Sequence, residues 1–299
     1  MTTLKIIRKT TLVGSLANIM LAIMKIGAGV VSGSQALVAD GVHSFSDLLT
    51  DLAVLVGAQF WTRPADDDHP YGHQRYETLT NVVIGAVLIV VALGIVGDSI
   101  ARIGQGQGSS PSHLALLAAV LSIVTKEVLY RWTMKHAKQI RSSALSANAW
   151  HHRSDAFSSL PVLVSVLAAN FVSNELYLDQ IAAIVVAVMI IKSAVEIVWP
   201  SLTEILEQSA GEHVIEHIHE LAAKHDDIRE IHALRTRRIG GQIFVDFHLL
   251  VDAHLSIQAA HDISEGFNKE VLREVEEVSD VMIHIEPFNE CESLTEWAK

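Results

Sequence analysis

Six apolar stretches, each about as long as a bilayer is thick, set what this 299-residue chain can become. They run over residues 10–31, 36–60, 78–102, 112–133, 145–171 and 177–199. Between them lie SGSQ, TRPADDDHPYGHQRYE, GQGQGSSPS, KHAKQIRSS and VSNELY, each with the polar or Gly/Ser character of a turn. In lipid every backbone N–H and C=O must be satisfied within the protein, so such stretches read as membrane-spanning helices. Half of the residues are hydrophobic and the mean hydropathy is +0.33, as expected for a polytopic integral membrane protein. The first stretch reads as a retained span, because the next one follows it at once.

Charge divides the chain. The formal net charge is -12, yet residues 1–200 carry 14 Lys/Arg against 13 Asp/Glu, and residues 201–299 carry 8 against 21. An acidic soluble region therefore follows a nearly neutral membrane region, which argues against nucleic acid as a partner. Lys5, Arg8, Lys9, Arg63, Arg75, Arg131, Lys135, Lys138 and Arg141 fall on one side of the predicted spans, against Arg102 on the other, so both termini are expected in the cytoplasm. Cys291 is the only cysteine, so no disulfide can form within the chain.

Charges inside the apolar stretches point to chemistry, because an ionisable side chain in lipid costs a few kcal/mol at least. The second stretch holds Asp40, His43, Asp47 and Asp51, and the fifth holds His151 and Asp155. His43/Asp47 and His151/Asp155 are four residues apart, so each pair shares a helix face. If the two helices pack antiparallel, two imidazoles and two carboxylates meet, a donor set suited to a tetrahedral divalent cation such as zinc. Asp40 and Asp51, a turn to either side, read equally as lining a polar path or as packing groups. Lys126, Glu127 and Glu196 read as side chains reaching the membrane surface, and Lys25 as doing so or pairing with an acid.

Two further clusters lie outside the apolar stretches. Asp66, His69 and His73 place a carboxylate and two imidazoles within eight residues of the second loop. From residue 211 the pattern predicts helix 212–224, strand 228–238, a Gly240-Gly241 turn, strand 242–251, helix 256–275 and strand 279–286. This αββαβ order indicates a ferredoxin-like α+β domain. Alternation along the strands puts His248 on one face of IFVDFHLLV and His284 beside Glu286 in MIHIEP. With His232 and His261 they supply four imidazoles and a carboxylate, if these converge.

Taken in order, SGSQALVADGVHSFSD, PADDDHPYGH, HHRSD, IHALRTRRIG, FHLLVD and MIHIEP resemble the cation diffusion facilitators, the family of FieF/YiiP-type zinc and iron exporters. The resemblance runs from the first span to about Pro287. It implies a homodimer of an all-α six-helix transmembrane domain (1–207) and a cytoplasmic ferredoxin-like metal-binding domain (208–290), followed by a tail (291–299), in a bacterial inner membrane. It implies that His43, Asp47, His151 and Asp155 form the transport site. Asp66, His69 and His73 fall on a loop site, and His232, His248, His261, His284 and Glu286 on a metal site of the cytoplasmic domain. Arg75 and Glu207 fall where the family pairs a basic and an acidic residue at the membrane surface. Bacterial FieF/YiiP-type proteins carry aspartate where this chain has His43 and where it has Glu286.

The function expected is export of a divalent cation, Zn2+ first, with Cd2+, Co2+, Fe2+ or Mn2+ as other cargo, in exchange for protons. Zn2+ on the soluble domain is expected to regulate transport. The alternatives are an exporter selective for Fe2+, Mn2+ or Cd2+, or a membrane metal sensor or scaffold of the same fold that does not transport. No general base or substrate-recognition motif accompanies the quartet, so the chain is not expected to be an enzyme.

Overall fold

The computed structural model describes residues 3–106, 113–140, 143–171 and 177–288. Cys291, the 291–299 tail, most of the Gly/Ser-rich turn and the side chain of Asp51 lie outside what it describes. The chain forms two compact units, one of Met1–Gly57 and Thr80–Val198, the other of Ala58–Leu79 and Trp199–Lys299.

The first unit is helical. Its elements are α1 (Thr3–Ser32), α2 (Gln35–Trp61), α3 (Arg75–Gly104), α4 (His113–Ile140), α5 (Ser143–Ser158), α6 (Leu160–Phe171) and α7 (Leu178–Ile205), the ends of α2, α3 and α7 reaching into the second unit. Among the described residues, four helices are long and apolar enough to cross a membrane: Lys9–Ser32, α3, α4 and α7. Helix α2 has comparable length, 27 residues, but carries the acidic groups of the site. The fifth stretch, expected as one helix over 145–171, is instead broken at Ser159. The reason is Pro161, which lacks an N–H and whose ring crowds the carbonyl four residues earlier.

Contacts between these helices use small residues. Their common core is largely alanine, including Ala36, Ala39, Ala92, Ala115, Ala119, Ala183, Ala187 and Ala194. At Gly29 a Cβ would stand 2.8 Å from the backbone nitrogen of Val38, and at Gly41 2.9 Å from that of Ile26. The two glycines thus let α1 and α2 approach closely. Larger apolar side chains such as Leu12, Met20, Ile23, Val90 and Val124 are more than half exposed, as a lipid-facing surface requires.

The second unit holds α8 (Glu212–Ala222), β1 (Glu230–Ile239), β2 (Gln242–Asp252), α9 (Ile257–Glu274) and β3 (Val278–Phe288). The αββαβ order and its boundaries agree with the sequence pattern to within about two residues. The sheet order is β1-β2-β3, with β1 antiparallel and β3 parallel to β2. Gly240 and Gly241 both have positive φ (57° and 77°), which a two-residue type I′ hairpin turn demands. Ser256 caps α9 by accepting a hydrogen bond from the Ala259 N–H. A closed apolar core containing Val214, Ile218, Val245, Phe247, Leu249, Phe267 and Val271 lies between the helices and one sheet face.

Candidate metal centres

In the membrane unit, Asp47 on α2 and His151 and Asp155 on α5 offer ligating atoms that all lie within 4.8 Å of one another. They border a cavity of about 510 Å³ that is also lined by His43, Ser154, Met189, Lys192, Ser193 and Glu196. His43, one turn before Asp47, faces this cavity but is not part of the tight group of three. Asp47 Oδ2 and His43 Nδ1 are buried without a hydrogen-bond partner. Buried polar atoms are almost always satisfied, so a carboxylate oxygen and an imidazole nitrogen left bare fit a cation that visits the cavity.

Among the neighbouring charges Lys126 departs from the sequence reading, and Lys25 takes the acid-paired one of its two readings. Lys126 was expected at the membrane surface; it is instead only 1% exposed and donates to Asp155 Oδ2 at 2.6 Å and Asn18 Oδ1 at 2.9 Å. Packing of α4 against α1 and α5 holds it inside. Lys25 pairs with Asp40 at 2.9 Å, both fully buried, and donates to Ser44 at 3.0 Å. Asp40 also accepts from the hydroxyls of Ser158 and Ser159, at 3.0 and 2.6 Å. These bonds tie Asp40 to α1 and to the α5–α6 break, as the packing reading of this residue requires. Glu127 pairs with Arg131 and Arg153. Lys192 and Glu196, one turn apart on α7, pair with each other on the cavity wall.

In the second unit, Asp66, His69 and His73 come together, again within 4.8 Å. Asp66 Oδ1 accepts from the backbone N–H groups of His69 (2.7 Å) and Asp68 (3.2 Å), which folds the loop around the carboxylate. The His69 N–H, and then the two imidazoles, hold the Asp66 carboxyl below its usual range. His73 Nδ1 stands 3.2 Å from the Pro64 carbonyl, which can only accept, so this nitrogen carries a proton, while Nε2 faces Asp66 Oδ2 at 3.3 Å. These residues fit a metal ion with three protein ligands.

Strand register builds the last cluster. His232, His248 and His284 are register partners across β1, β2 and β3. A bulge after His232, with Ala233 at φ 50°, lets this pairing coexist with Arg235 opposite Asp246. His232, His248 and Glu286 lie within 4.8 Å of one another. His284 is adjacent, its Nε2 3.6 Å from Glu286 and its ring 4.8 Å from that of His248. The exposed His261, on α9, is outside this group. Burial pushes the Glu286 carboxyl up, but the hydrogen bond from His232 and the charge of His248 outweigh it, and the net shift is down. His248 Nδ1 stands 2.8 Å from Glu286 Oε1 and His232 Nε2 3.0 Å from Oε2, so two imidazoles and a carboxylate face one another as a metal would require.

Arg75 and Glu207 form an exposed pair at 3.5 Å. Beside them Glu204 accepts from the Thr78 hydroxyl at 2.5 Å and the Gly240 N–H at 2.7 Å, joining the start of α3 to the β1–β2 turn.

A helical membrane unit with acidic and imidazole groups around an internal cavity, continued by a small α+β domain, defines a membrane cation transporter. The family model of the cation efflux transmembrane domain matches residues 11–206, and that of the cation efflux protein cytoplasmic domain matches residues 210–288. The chain belongs to the cation diffusion facilitator family, whose members are divalent-metal efflux transporters with a cytoplasmic dimerisation domain, and not enzymes. It is 34% identical to the manganese efflux system protein MneP of Bacillus subtilis over 96% of this chain and 98% of that one. It is 31% identical to the magnetosome protein MamB of Magnetospira sp., covering 87% and 88% respectively. Among solved structures, the cytosolic domain of a cation diffusion facilitator family protein is 28% identical over 25% of this chain and 89% of that one, with a TM-score of 0.24.

Proposed function

We propose that this protein exports Zn2+ in exchange for protons, with Asp47, His151 and Asp155, completed by His43, as the transport site. The observation that carries this reading is the meeting of one α2 carboxylate with an α5 imidazole and carboxylate around a cavity inside an apolar helical unit. Two imidazoles and two carboxylates favour zinc over manganese, which prefers oxygen ligands. The relationship to MneP favours the opposite choice, manganese, and is the second reading.

An ionised, metal-free cavity in a low-dielectric interior is costly, so release of metal is coupled to uptake of protons. His43 and His151 are the shuttles, because an imidazole nitrogen that releases a metal ion can take a proton in its place. Alternating access comes from the site helices rocking against their neighbours. The domains are the membrane domain 1–207 and the cytoplasmic domain 208–290, supported by the ranges of the two family models, with both termini in the cytoplasm and two copies per transporter. Metal at Asp66/His69/His73 and at His232/His248/His284/Glu286, with His261 added by rearrangement or by a second copy, reports cytoplasmic zinc to the transporter.

Proteoliposomes under an imposed pH gradient test the proposal. Zinc uptake should exceed manganese uptake and should fall to background in Asp47→Ala and Asp155→Ala. Flux surviving in both variants removes the site from the mechanism, and preferred manganese uptake transfers the assignment to the second reading.

A further inference from the structure

Asp155 does not face the cavity alone. Its Oδ2 accepts from Lys126 Nζ at 2.6 Å, while Oδ1 looks toward His151 Nδ1 at 3.7 Å. Lys126 comes from α4 and its second contact, Asn18 Oδ1 at 2.9 Å, from α1. Lysine and aspartate side chains are 1% and 6% exposed, so water screens this pair little. A cation is thus built into the wall of a cavity meant to receive cations.

Counting formal charges, Asp47 and Asp155 would present two negative charges to an incoming ion, but Lys126 leaves only one. A divalent ion that takes Asp155 as ligand must displace the ammonium from one oxygen or tolerate it at close range, and either weakens binding. We propose that Lys126 is a tethered competitor for the transported ion: it holds Asp155 while the cavity is empty, yields when metal binds, and drives the metal off when the cavity opens. Conduction needs a site tight enough to load and weak enough to empty, and a fixed positive charge sets that balance without supplying a ligand. Lys126 is a positioning residue in this scheme, and the proposal rests on the transport-site reading above.

The test uses the full-length protein in proteoliposomes, with zinc uptake measured against zinc concentration. Lys126→Met should lower KM by about tenfold or more, since a unit charge a few ångströms away is removed from a poorly screened site, and should lower kcat because release slows. Lys126→Arg, which keeps the charge, should stay near wild type. Asn18→Asp sets a carboxylate against the ammonium without removing it and should move KM in the same direction, so it decides the matter should Lys126→Met fail to assemble. An unchanged or raised KM in the assembled variants overturns the proposal, and that is the result a purely structural pair would give. Asp155→Ala run in parallel separates the two readings. Flux lost there while KM ignores Lys126 sinks only the competitor role, whereas flux retained there sinks the transport site itself.

Discussion

Glu286 lies among three imidazoles on an open sheet face, and its carboxyl is held below the ordinary glutamate value of 4.5. A carboxyl depressed in the folded state adds stability that is complete above the unfolded value and is lost as pH falls through the folded one. Acid titration of metal-free residues 208–299, followed by circular dichroism, should therefore show stability draining below about pH 4.5. Glu286→Gln should flatten that limb, and an unaltered acid limb would contradict the assigned hydrogen bonds. At this scale the sequence was most informative where partners are close along the chain. The i,i+4 spacing of His151 and Asp155, and the eight residues from Asp66 to His73, fall together once a helix or a turn forms. It was least informative for the lysines. Lys126 and Asp155 are 29 residues apart, and Lys25 and Asp40 lie on different helices, so their pairing depends on helix packing that no local pattern encodes.

At the scale of elements, α1 and α2 meet through glycine. Gly41→Val should push α2 away from Ile26, costing roughly 1–3 kcal/mol of stability as an overpacked contact, and should loosen the Lys25–Asp40 pair beside it. Thermal unfolding of the purified protein reads the loss, and an unshifted melting temperature would mean that the helices are not so close. The soluble domain was legible nearly to the residue, because alternating strands, a Gly-Gly hairpin and two amphipathic helices each carry their own period. The break at Ser159 was not foreseen. Hydropathy stays high through Leu160–Phe171, and only Pro161, with Asp40 binding both serine hydroxyls, marks the interruption. Convergence of His232, His248 and Glu286 was conditional in the sequence and is realised by register, whereas His261 depends on where α9 begins and stays apart.

For the whole molecule, the acidic balance of residues 201–299 implies that two soluble domains repel each other across a dimer when their sites hold no metal. A divalent ion on the histidine row, as proposed above, would offset part of that charge. Small-angle scattering of residues 208–299, which enclose an apolar core of their own, should show a smaller radius of gyration with zinc, and an unchanged radius would argue against regulation. At the other end of the chain, ligands from α2 and α5 are proposed to hold one ion inside the helical unit. Zinc X-ray absorption on the full-length protein, with the loop and sheet histidines replaced by alanine, tests it most directly. Retained zinc in a four-coordinate shell of two imidazoles and two carboxylate oxygens at about 2.0–2.2 Å is the expected result. A shell without imidazole, or loss of all zinc from the protein, would contradict it.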